Sequence, residues 1–113
     1  MLESRKNPRY RTLARVQIPG VLEGDNLLKD LSITGCCAEC TAYTDIKPGC
    51  LYQLTVDPES AAKIGSFELS VESKWIRADG YSTEVGFAVV ASPKNSKQFQ
   101  RYIDYLSYRS SQT

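Results

Sequence analysis

The chain has 113 residues, no histidine, one methionine and one tryptophan. Without an imidazole, a general base near neutral pH has to come from elsewhere. No paired carboxylates stand at a readable spacing and no glycine-rich loop is present to cradle a phosphate. An enzyme is therefore not expected. Nor does any apolar run approach the length of a bilayer span or signal-peptide core, which argues against membrane insertion and for a cytoplasmic address. A broad basic excess is missing too: 14 Lys and Arg stand against 13 Asp and Glu, with a pI near 7.6. That balance disfavours a nucleic acid polymer as partner. Four cysteines, Cys36, Cys37, Cys40 and Cys50, include a C-x-x-C spacing. Because the fourth thiol is isolated and histidine is absent, no second ligand pair completes a zinc site. The cysteines are expected to be buried as small hydrophobes, with no metal and no cofactor.

What is present is one domain's worth of hydrophobic sequence, 42% of residues, enough for a single core. Its charge is unevenly placed. Residues 1–15 carry Arg5, Lys6, Arg9, Arg11 and Arg15 against Glu3 alone, so a net +4 head precedes a body of net −3. A basic head on a mildly acidic body suits a small anion better than a long polyanion.

Short runs of period-two alternation follow. Thr12, Ala14, Val16 and Ile18 share a face of the first strand. In "NLLKDLSI", strict alternation puts Leu27, Lys29, Leu31 and Ile33 on one side and Leu28, Asp30 and Ser32 on the other. "CCAECTAY" and "LYQLTV" supply two more strands, separated by Pro48-Gly49. "SFELSVESKWI" alternates most clearly, which places Trp75 on the core face with Phe67, Leu69 and Val71. A hairpin at "ADGYS" leads into "EVGFAVV". Beyond it Phe99, Tyr102, Ile103 and Leu106 form a helical stripe, with Ser92 as N-cap and Pro93 at the first helical position. The expectation is an all-β domain with one C-terminal helix: a six-stranded antiparallel barrel over 12–91, a helix over 93–108, and a flexible arginine segment over 1–11.

Two motifs stand in order along this pattern. Arg5-Lys6-Asn7-Pro8-Arg9 is an R-x-x-x-R run before the first strand, and Asp30-Leu31-Ser32-Ile33-Thr34-Gly35 is a D-x-S-x-x-G run across the second strand and its turn. With "ESKWIR" and "EVGFAVV" as a late hairpin and a terminal helix after it, nearly the whole chain resembles the PilZ domain, the bacterial receptor module for cyclic di-GMP. The chemistry agrees. Two phosphodiesters and two guanines call for arginine forks, and a strand-borne carboxylate can accept from a guanine N1 and N2 edge.

The resemblance implies a split-barrel fold and a set of site residues. Arg5 and Arg9 are expected to hold phosphate and guanine, Asp30 and Ser32 to meet the other guanine's edge, and Gly35 to shape the turn beneath. Tyr10, Arg11 and Trp75 are secondary candidates. Tyr10 stands where many relatives carry a further arginine. Trp75 matches a late-strand aromatic that lies near the ligand in some of them, although its alternation favours core packing. The implied function is that of a non-enzymatic cyclic di-GMP receptor or adaptor. Its N-terminal segment would order on binding, and it would signal to a separate, unidentified partner protein in motility, biofilm, polysaccharide or virulence control. A homodimer is a possible assembly. The competing reading is a PilZ-like protein-interaction module that binds no nucleotide.

Overall fold

The structure, a computed structural model, describes residues 7–41, 44–91 and 96–111. Its strands are β1 (Tyr10–Arg11), β2 (Arg15–Gln17), β3 (Asn26–Leu31), β4 (Gly35–Cys40), β5 (Leu51–Asp57), β6 (Phe67–Ala78) and β7 (Thr83–Ala91). A single 3-10 turn at Ser60–Ala62 and helix α1 (Ser96–Ser110) complete the described elements. Every pairing is antiparallel. The order β3-β2-β5-β6-β7-β4 closes on itself through the β3–β4 pairing, so six strands make the expected barrel. β1 continues the line of β2 along the edge of β3, with Tyr10 opposite Leu31 and Arg11 opposite Asp30. The first expected strand is thus broken, because the Thr12 hydroxyl donates to the Leu28 carbonyl at 2.5 Å and accepts from the Ala14 amide at 3.0 Å. Its inward set of Thr12, Ala14, Val16 and Ile18 is nonetheless buried as the alternation requires.

Two departures from strict alternation, one in β3 and one in β6, fall at the candidate site. In β3 the register shifts between Leu28 and Asp30, so Leu28 and Leu31 both point into the core across an intervening pair. A bulge adds one unpaired residue and reverses the facing of everything after it. Asp30 therefore does not share a core-side face with Leu28, and Leu31 does not share an outer one with Leu27. In β6 the register shifts between Ser73 and Trp75. Phe67, Leu69, Val71 and Ser73 stay buried, whereas Trp75 is thrown outward and left 43% exposed. The expectation that Trp75 packs in the core fails for this reason.

Helix α1 lays Phe99, Tyr102, Ile103 and Leu106 against the barrel, meeting Phe67 at ring separations of 5.7 Å (Phe99) and 6.1 Å (Tyr102). The expected cap at Ser92 and Pro93 lies outside the described residues. Tyr102 is fully buried, and its hydroxyl donates to Glu59 at 2.5 Å. The other oxygen of Glu59 accepts from Arg109 at 2.9 Å, and Arg109 also donates to the Arg11 carbonyl. This lock ties the 3-10 turn, the end of the helix and β1 together. It also covers a carbonyl on an edge strand that would otherwise stand open. α1 is not long and apolar enough to cross a membrane.

Candidate functional site

The bulge in β3 decides where Asp30 goes. Beyond it, Asp30 stands on the outer face opposite Cys37, and the Arg9 guanidinium donates to its carboxylate at 2.9 Å. The other terminal nitrogen of Arg9 lies over Gly35, 3.5 Å from where a Cβ would project. That Cβ would also stand 2.9 Å from the Phe87 carbonyl, so close approach of backbone and guanidinium accounts for the glycine.

Ser32 does different work from the one its spacing suggested. It is 2% exposed, and its hydroxyl accepts from the Thr34 and Gly35 amides at 3.2 and 3.1 Å while reaching the Gly35 carbonyl at 3.2 Å. This is a turn-forming serine. The structure therefore brings Arg9, Asp30 and Gly35 into contact and sets Ser32 behind them as the support of the Gly35 turn. Arg5 lies outside the described residues. Tyr10 packs half-buried against the core, and Arg11 is exposed on β1.

From Asp30 a row of paired residues crosses the outer face through Cys37 and Gly86 to Trp75. Beside it runs Gly35 and Ala88. Small residues thus floor a shallow saddle between Arg9–Asp30 and the Trp75 indole, two to three strand spacings wide, or about 10–15 Å. The indole lies directly on Gly86, where a Cβ would fall 2.2 Å from the ring. Gly86→Val should push the indole off its seat and cost about 1–3 kcal/mol. Since Trp75 is the sole tryptophan, its fluorescence reports the change. An emission spectrum identical to the parent's would show that the ring does not rest there.

One rim of the saddle is not legible in the sequence. Glu84 receives Lys29 at 2.6 Å on one oxygen and Arg77 at 2.5 Å on the other, and Arg77 stands 5.7 Å over the Trp75 ring. Hydrogen bonds from Lys29 and then Arg77 hold the Glu84 carboxyl below the usual range. The signal available was the "ADGYS" hairpin, which places Arg77 opposite Glu84. Nothing local indicated that Lys29, 55 residues away from Glu84, would join them.

The cysteines divide by face. Cys36 and Cys40 belong to the core, while Cys37 sits on the outer face yet is 5% exposed. Cys37 and Cys40 thus point to opposite sides of one strand. No group of three or more metal-ligating side chains is gathered among the described residues. Burial, with the Asp30 charge added, pushes the Cys37 thiol up to about 11, and burial pushes Cys40 up to about 11 and Cys36 up to about 12. Since the thiolate is the reactive form, Cys50, which is exposed, should be the thiol labelled rapidly at neutral pH. Rapid labelling of two or more cysteines in the folded protein would contradict this packing.

No protein-family model matches the chain, and no curated protein does. Solved structures do. The structure of the Bacillus subtilis inhibitor of motility, MotI/DgrA, matches 99% of this chain with a TM-score of 0.78 at 16% identity, and this chain spans 53% of that one, about half its length. The PilZ domain of YcgR from Escherichia coli, solved with c-di-GMP, matches 96% of this chain and 95% of its own with a TM-score of 0.69 at 19% identity. A closed six-stranded barrel with one helix laid against it, shared over almost the full length of both chains, is the fold of a PilZ domain.

Proposed function

We propose that this chain is a non-enzymatic receptor for cyclic di-GMP, working in the cytoplasm and passing the signal to a separate protein. The observation that carries the reading is the meeting on the outer face of Arg9 with Asp30 and Gly35, each 21 or more residues away from it in sequence. A guanidinium fork suits a phosphodiester or the O6 and N7 edge of guanine, and the neighbouring carboxylate suits the N1 and N2 donors. The exposed face of the Trp75 indole adds a stacking surface across the saddle. Arg5 would supply the second fork, with the arginine segment becoming ordered as it closes over the nucleotide. The likeness in fold to a PilZ domain solved with c-di-GMP supports the ligand, and the likeness to an inhibitor of motility supports motility control as the output.

One observation favours the alternative of an interaction module without nucleotide: Arg9 already has a partner in Asp30. Exposed ion pairs of this kind are worth about 0–1 kcal/mol, however, little enough for a doubly anionic ligand to displace. Titration calorimetry against cyclic di-GMP, cyclic di-AMP and GTP separates the readings. Heat with cyclic di-GMP alone is expected. Heat with none of the three would leave the interaction module as the reading, and equal heats with the two cyclic dinucleotides would remove the guanine-reading role of Asp30.

A further inference from the structure

Sharing Lys29 with the rim of the saddle, the outer face where β1, β2 and β3 meet the end of α1 carries a groove of about 390 Å³, within the roughly 300–1,000 Å³ typical of binding clefts. Its walls are Leu13, between β1 and β2, and Leu27 on β3, which are 67% and 42% exposed. Paired leucines facing water on the outside of a barrel gain nothing for the core, and contiguous exposed apolar surface with a polar rim is the mark of a contact site. Around them stand three cations, Arg11, Lys29 and Arg109, and one carboxylate, Glu39. Lys29 and Arg109 are held by Glu84 and Glu59. The Arg11 guanidinium has no hydrogen-bond or ion-pair partner among the described residues.

We propose that this groove docks an acidic, leucine-bearing segment of another protein, its apolar side chains lying between Leu13 and Leu27 and a carboxylate on Arg11. Charge selects this occupant over a second copy of the chain. A two-fold contact would set a patch of three cations and one carboxylate against its own like-signed copy. The inference goes beyond nucleotide binding and does not depend on it.

The test uses the full chain, labelled with nitrogen-15, and a short synthetic amphipathic helix with leucines on one face and glutamates beside them. A control peptide carries lysine in place of each glutamate. The glutamate peptide should shift the amides of Leu13, Leu27 and Lys29, with affinity reduced about tenfold or more by Arg11→Glu, the loss of one good charged contact. Leu13→Ser, a surface change that leaves the core intact, should abolish the shifts while leaving the heat of cyclic di-GMP binding as it was. Failure of the nucleotide reading and failure of this one are therefore separately visible. The proposal is overturned if the glutamate peptide shifts nothing or shifts residues elsewhere, or if the lysine peptide binds as well. It is equally overturned if the same amides move with protein concentration alone and Leu13→Ser stops them, which would assign the groove to self-association.

Discussion

Arg9→Ala is expected to weaken cyclic di-GMP binding by about 10- to 150-fold, the equivalent of the 1.5–3 kcal/mol that hydrogen bonds to a charged group contribute. The effect should exceed that of any other described arginine, because Arg9 alone among them lies both on Asp30 and over Gly35. Asp30→Ala is the informative companion. It removes the group proposed to read guanine, but it also frees Arg9 from an ion pair whose partners are 41% and 26% exposed. Releasing a pair that exposed favours the phosphate contact by about 0–1 kcal/mol, less than the loss of a charged contact to the base. The net result should be weaker binding of cyclic di-GMP and little change for a cyclic dinucleotide without guanine. Calorimetry on the two single variants and the double variant isolates the coupling. Tighter binding by Asp30→Ala would make Asp30 a latch on Arg9 and nothing more, and unchanged affinity in Arg9→Ala would end the nucleotide assignment.

The second large effect concerns stability, at Tyr102. Removing the buried ring in Tyr102→Ala should cost about 3–5 kcal/mol, as deletion of a buried aromatic does. Tyr102→Phe keeps the packing on Phe67 and removes only the hydroxyl's bond to Glu59, so about 1.5–3 kcal/mol is expected. The two are distinguished by urea unfolding midpoints. The Phe variant has a pH signature as well. Burial first, and the Glu59 contact second, push the Tyr102 hydroxyl above the ordinary tyrosine range. The folded state thus holds this proton more tightly than the unfolded chain. Its stabilisation is complete below the unfolded value of about 10 and is lost as the pH climbs from there towards the folded value. The stability gap between parent and Tyr102→Phe should accordingly be widest at neutral pH and narrow above pH 10. A gap independent of pH would mean that the hydroxyl is not buried against Glu59. Because Arg109 joins Glu59 to the Arg11 carbonyl, the same variant should loosen β1, seen as faster amide exchange at Tyr10 and Arg11.

Which parts of the molecule were legible in advance follows from how far each signal reaches along the chain. Alternation of apolar and polar residues is a local property, and it was enough for the barrel strands, the inward set of the first strand and the buried stripe of α1. The two motifs were legible as spacing, and Arg9, Asp30 and Gly35 do meet. The errors have one origin. Period-two reasoning carries a single phase along a strand, and a bulge resets it. β3 and β6 each contain such a reset, so Asp30 leaves the face of Leu28 and Trp75 leaves the core it was assigned to. The extra residue costs a ladder bond, which only the cross-strand partners can offset, and those partners are remote in sequence.

The order of the elements, the burial of Cys36, Cys37 and Cys40 as small groups, which Cys50 does not share, and the arginine-rich head were therefore properties of the chain itself, since each depends on residue type and near neighbours. Tertiary structure alone decided the register at the two bulges, the Lys29–Glu84–Arg77 rim, the lock of Tyr102 and Arg109 on Glu59, and the exposed leucine groove. Each of these depends on which strand lies beside which. That choice is made by burying one core from residues scattered across the whole chain, and no local pattern encodes it.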